Sequence, residues 1–172
     1  MRRALLAVPI LLSAALPLAG QAVRSGFTSG GSLARGDDTA TSSPQPLGFQ
    51  VNLFGSTFSG AYVSMNGYIT FDGPYTEFTP EPLSNNPRKI IAPFFSDVDT
   101  RNSGSQIVNW GAGSVDNRRA WAANYVRVGY YASHADKLNS FQVVLIERAD
   151  TGSGNFDIEF NYDSIQWEAG DE

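Results

Sequence analysis

An all-β fold, an antiparallel β-sandwich, is what this sequence predicts, and three observations predict it. Short apolar runs alternate with polar residues at period two. Glycine, proline and small polar residues punctuate these runs at close intervals. Past the N-terminal segment, no stretch of eleven or more residues carries apolar side chains at helical spacing. The 172 residues suffice for one domain, and 17 glycines, nine prolines and 12% aromatics suit many turns rather than a helical bundle.

The strongest of the three signals is Phe141 to Trp167. Phe156, Ile158, Phe160 and Tyr162 alternate with Asp157, Glu159 and Asn161, the pattern of a strand with a buried face and a wet, acidic one. Before it, Val143 to Ile146 is apolar at both parities, which predicts a central strand covered on both faces. Ala149 to Gly154 supplies the turn, so the two runs form a hairpin.

Taken in order, the chain opens with Met1-Arg2-Arg3, an apolar run Ala4 to Leu18, and Gly20-Gln21-Ala22 as a small-x-small cleavage site. Residues 1–22 therefore read as an export signal, too short and too proline-broken for a spanning helix. Its loss removes Arg2 and Arg3 and takes the formal charge from −5 to −7. Residues 23–46 form an irregular leader with Phe27 and Leu33 as apolar anchors. The sandwich domain proper is assigned to 47–172. Leu47 to Phe54 is a strand. Ala61 to Phe71 is a hairpin on Asn66-Gly67, and a three-residue loop, Met65 to Gly67, segregates its faces by pairing Val63 with Ile69 and Ala61 with Phe71. Gly73 to Pro87, with four prolines, is a long loop. Ile90 to Phe95 is an edge or bulged strand because of Pro93, and Ser96 to Asn102 is a turn. Ser105 to Trp110 and Ala120 to Val128 are strands joined by a turn over Gly111 to Asn117. Tyr130 to Asn139 is polar with room for a helical turn, and Ile165 and Trp167 begin a further strand.

Composition excludes some partners. A chain with pI near 4.8 lacks the basic patch that nucleic acid or an anionic membrane surface requires. With no cysteine there are no disulfides and no thiolate metal sites, which tilts the reading toward a bacterial exported protein.

Candidate chemistry rests on carboxylates. Asp97 and Asp99, two apart in an extended segment, point the same way and would offer part of a calcium shell. The plainer alternative gives one of them to backbone N–H groups in a turn and the other to Arg101. His134, the lone histidine, lies near Asp136, but no nucleophile sits in a recognisable elbow and GxSxG is absent. Asp157 and Glu159 read as the wet side of their strand. Trp110, Trp121 and Trp167 serve either a sugar-stacking platform or the core and its rim, and Tyr68, Tyr75, Tyr130 and Tyr131 are the rings to check for exposure.

Three pieces in order, YVSMNGYITF, IIAPFFSDVDTR and NSFQVVLIERADTGSGNFDIEFNYDSIQWEAGDE, resemble the NIDO (nidogen-like) extracellular domain, bacterial exported type. The resemblance runs from about Leu47 to the end. It implies a secreted or cell-surface adhesion module for cell–matrix contact, no enzyme, with an extracellular protein or glycan of a surface or matrix as partner and no membrane insertion after signal cleavage. It brings no catalytic residue and no cofactor; calcium at Asp97 and Asp99 rests on the residues alone. Members continue past the Trp-x-x-Gly-Asp segment into further strands, so the expectation is a truncated protein or a fragment whose sandwich lacks its C-terminal strands. The alternatives are a carbohydrate-binding module, or a secreted hydrolase built on Asp97, Asp99, Asp157 and Glu159.

Overall fold

Turn chemistry organises the strands. Asp116 and Asn117 both adopt positive φ, 48° and 62°, and close a two-residue hairpin whose twist matches that of the flanking strands, while Ala132 and Ser133, at 59° and 62°, lie in a three-residue turn between the paired Tyr130 and His134. In the computed structural model, which describes residues 22–170, these turns join three long strands. They are β7 (Asn109–Val115), β8 (Arg118–Tyr130) and β9 (His134–Glu147). Two sequence expectations are corrected here. Gly111 to Val115 is strand, with the turn confined to Asp116-Asn117. The polar run from Tyr130 holds no helical turn, because His134 already starts β9. The expected export signal falls on residues 1–22, of which only Ala22 is described.

β9 continues through Arg148 to Asn155 into β10 (Phe156–Ser164), with Phe156 opposite Glu147 and Phe160 opposite Val143. This is the hairpin the alternation predicts. The short β1 (Gly31–Ser32) pairs on the far side of β7, and β6 (Val98–Asp99) pairs with the end of β8, giving the larger antiparallel sheet the order β1-β7-β8-β9-β10. Ser96 to Asn102 is thus partly strand rather than only a turn.

The smaller sheet runs β2 (Gln45–Leu53), β3 (Ser56–Val63), β4 (Ile69–Thr70), β5 (Ile90–Ile91). Val63 faces Ile69, and the Ser64 N–H donates to the Tyr68 carbonyl at 3.0 Å. That leaves Met65, Asn66 and Gly67 as the three-residue loop, the register that segregates the faces. Pro93 ends β5 after two residues, at the edge of its sheet.

The sheets pack face to face over one core, which includes Leu47, Val51, Val63, Ile69, Trp121, Tyr125, Phe141, Val143 and Leu145. Tyr125 stacks on Phe141 with centroids 4.6 Å apart, and its hydroxyl donates to the carbonyls of Ser64 (2.7 Å) and Tyr68 (3.0 Å), pinning the hairpin loop to the larger sheet. Trp167 does not begin another strand. It folds back into the core, its ring edge against Phe94 and its indole N–H on the Val128 carbonyl, while both main-chain groups of the segment bond Asn139. Residues 23–28 cross the outer face of the larger sheet, where Phe27 joins Val115, Ala120, Ala122, Val144 and Ile146 in a second, smaller core.

Candidate functional site

The Asn66-Gly67 loop does more than turn the chain. Asn66 is fully buried, and its side-chain amide donates to Asp38 Oδ1 (2.8 Å) and to the carbonyls of Thr76 and Glu77, while its Oδ1 accepts from the Val98 N–H. Gly67 has φ 79°, and a Cβ there would lie 1.7 Å from the Phe94 carbonyl oxygen. One loop thereby positions the leader, the proline-rich loop and the Asp97 segment together.

Beside this hub lies a carboxylate cluster. Asp37, Asp38 and Asp97 bring one ligand oxygen each to within 4.8 Å of one another, and they are the one such acidic or histidine group of three or more among the described residues. One oxygen of Asp37 is buried with no hydrogen-bond partner. Burial, and then the charges of Asp99 and Asp38, push the Asp37 carboxyl up against the pull of Arg101. Asp99 is not one of the three but shares Arg101 with them, the guanidinium pairing with Asp99 and, at 2.7 Å, with Asp37. Its fully buried carboxylate accepts from the N–H groups of Arg101 and Ser133, both at 2.8 Å, and from the Arg101 guanidinium. Burial alone raises the Asp99 carboxyl, but these hydrogen bonds outweigh it and hold the group below the usual carboxylate range. Asp99 takes both roles of the plainer alternative, so Asp97 and Asp99 do not form one ligand pair; Asp97 groups instead with two leader residues that spacing did not single out.

On the outer face, four side-chain amides in register cross four strands: Asn109, Asn124, Gln142 and Asn161. Asn124 donates to Asn109 at 2.7 Å, Gln142 to Asn124 at 2.7 Å and Asn161 to Gln142 at 3.0 Å. The ladder also holds the leader. Gln142 bonds both the N–H and the carbonyl of Arg24, and Asn124 donates to the Phe27 carbonyl. A groove of about 370 Å³ opens beside this strap, lined by Arg24, Gln106, Asn109, Val126 and Arg127 among others.

β10 corrects the sequence reading most. Its apolar residues do share the inner face with Phe141, Val143 and Leu145, but Ile158, Phe160 and Tyr162 are 45%, 43% and 45% exposed. The smaller sheet packs mainly over β7, β8 and β9, and of this row Tyr162 reaches the segment after β5, its hydroxyl donating to the Pro93 carbonyl at 2.6 Å. The supposedly wet side is the more covered one: Glu159 and Asn161 are half-buried under the strap. Glu159 forms a bidentate pair with Arg24, whose hydrogen bonds hold its carboxyl low, and Asp157 pairs with Arg148 at 2.9 Å. The acidic face is neutralised by its own arginines.

The remaining candidates are structural. His134 Nδ1 lies 2.7 Å from the Tyr131 carbonyl, and its ring stacks on Tyr130. Asp136 accepts from the Tyr130 hydroxyl. Trp110, Trp121 and Trp167 are all buried, so they offer no stacking platform, and Tyr68 is buried with its hydroxyl on the Glu77 carbonyl. Of the tyrosines singled out, Tyr131 is the exposed one, at 48%. Asp97, Asp99, Asp157 and Glu159 each have separate surroundings and do not converge as a hydrolase would require.

The fold and these sites define an all-β sandwich in which arginines pair with carboxylates across strands and loops. The chain belongs to the NIDO-related family, whose model matches residues 21–172. It is 31% identical over 155 residues to alpha-tectorin of Mus musculus and 32% identical over 155 residues to that of Gallus gallus, 77% of this chain in each case. It is 28% identical over 118 residues, 56% of this chain, to nidogen of Drosophila melanogaster. The match spans only 7% of each alpha-tectorin and 9% of the nidogen. No solved structure is a significant match. Among the described residues no helix is long and apolar enough to cross a membrane.

Proposed function

We propose that this chain is an exported, bacterial-type adhesion module without catalytic activity, which takes an extended segment of a matrix or cell-surface protein onto the open edge of β10. The observation that carries it is the row Ile158, Phe160, Tyr162, nearly half exposed on a strand that is paired on one side only among the described residues. Such an edge offers backbone hydrogen bonds for affinity and alternate side chains for specificity. Buried tryptophans weigh against a glycan platform, and dispersed, arginine-paired carboxylates weigh against the hydrolase. The test is capture of the chain lacking residues 1–22 by an array of purified matrix and cell-surface proteins. We expect capture that Phe160→Lys weakens at least about tenfold, since interface aromatics commonly contribute 2 kcal/mol or more. Equal capture of both chains would remove β10 from the account.

A second reading, calcium support of the extracellular fold, is favoured by the Asp37, Asp38, Asp97 cluster and the buried, unbonded oxygen of Asp37. Calorimetric titration with calcium is expected to give a binding heat that Asp37→Asn abolishes. Flat traces for both chains would end this reading.

A further inference from the structure

We propose that the occupant of the β10 edge is β10 of a second copy of this chain, paired antiparallel about a two-fold axis at Phe160; this deepens, and rests on, the reading of β10 as the docking edge. The backbone sets the possible centres. The Arg148 N–H donates to the Asn155 carbonyl at 2.8 Å, and the register then runs without a break from Phe156 opposite Glu147 to Tyr162 opposite Phe141. In an antiparallel pair, inward and outward backbone groups alternate along the strand. Asp157, Glu159 and Asn161 therefore spend their N–H and C=O groups on β9, while those of Ile158, Phe160 and Tyr162 face the open side. A two-fold axis at Phe160 matches Phe160 with itself and Ile158 with Tyr162 in both directions, so all three outward positions find donors and acceptors.

Side chains select this centre over its neighbours. On the inner face it brings Phe160 against Phe160 and Ile158 against Tyr162, joining two exposed apolar rows into one. On the outer face it sets Glu159 against Asn161 of the second copy, and within one copy this amide already donates to this carboxylate at 2.7 Å. Asp157 meets Asp163, with the Asp157 charge already offset by Arg148 at 2.9 Å. Centring on Ile158 would instead oppose Asp157 to Glu159, a like-charge pair next to the axis, and centring on Tyr162 would reach the register irregularity before Ser164. β10 also lacks the proline and lysine by which edge strands resist pairing. Apart from Asp157 opposite Asp163 at either end, the strand is self-complementary about Phe160.

The experiment uses the chain without residues 1–22 and its lack of cysteine. Sedimentation equilibrium is expected to show a concentration-dependent dimer, with the dissociation constant raised about 30-fold or more by Phe160→Lys, the loss typical of a central aromatic anchor. Under mild oxidation Phe160→Cys is expected to form a disulfide-linked dimer. Ile158→Cys is not, because the two copies of residue 158 would lie roughly 14 Å apart, beyond disulfide reach. Thermal melting certifies the fold: well below the parent's dissociation constant, where it too is monomeric, each variant is expected to match the parent, whereas at concentrations where the parent dimerises Phe160→Lys is expected to melt lower. A monomer at every concentration, or equal cross-linking from both positions, overturns the homotypic pairing. If the monomeric chain is still captured by arrayed proteins through Phe160, only this inference falls; if capture ignores Phe160 as well, the docking reading falls with it.

Discussion

Gly67 is where the smallest side chain carries the most structure. Its φ of 79° disfavours any L side chain, and the Phe94 carbonyl occupies the space a methyl group would need. Gly67→Ala is expected to cost about 3 kcal/mol or more, combining left-handed strain with overpacking against rigid backbone. Gly48, with φ 84° and nothing within 4 Å of its would-be Cβ, isolates the first contribution, so Gly48→Ala is expected to cost only about 1–2 kcal/mol. Urea unfolding of the two variants measures the difference. Asp99 makes a pH-dependent case. Its carboxyl is held low in the folded chain, so its contribution is fully present above the unfolded value of about 4 and is lost as pH falls through the depressed native one. Asp99→Asn is expected to destabilise by about 2–3 kcal/mol at pH 7. The gap from the parent is expected to shrink steadily below about pH 4. A pH-independent gap in urea midpoints would show that the lost interactions are not those of the charged form.

At the scale of elements, the leader shows how an irregular segment is kept in place. Residues 23–28 have no strand of their own, yet Val23 and Phe27 are buried, and Arg24 is gripped through main chain by Gln142 and through side chain by Glu159. The amide ladder acts like a further set of ladder bonds laid across the strands, and each member satisfies its neighbour in a partly dehydrated site. Gln142→Leu keeps the volume but removes the bridge to Arg24, Asn124 and Asn161. It is expected to release the strap while leaving the two sheets intact, read as new protease cleavage between residues 24 and 30 with an unchanged β-sheet circular dichroism spectrum. Unaltered protection of the strap would mean that Phe27 alone retains it.

At the scale of the molecule, two sheets of unequal reach meet. The larger is built from strands of up to 14 residues, whereas β4 and β5 have two residues each because Gly73 to Pro87 and Pro93 interrupt them. The smaller sheet has four strands, two of them very short, against five across the larger, so the inner face of β10 is left largely uncovered. The same mismatch leaves Ile158, Phe160 and Tyr162 nearly half exposed. The docking reading and its homotypic form belong to this scale, since neither the residues of β10 nor the strand by itself dictates their exposure.

The sequence by itself determined the fold class, the β9–β10 hairpin, the three-residue register of the Asn66 loop and the edge placement of the Pro93 strand. Each rests on local rules: period two, turn preference, and the missing proline N–H. It also carried the family resemblance that the family match supports. Tertiary structure alone decided which face of β10 is covered, because alternation separates two faces but does not say what lies over either. It likewise decided that Asp97 joins Asp37 and Asp38, some sixty residues away in the chain, while Asp99 goes to Arg101. Spacing along a strand fixes the direction of a side chain, and only the packing of distant segments fixes what that side chain meets.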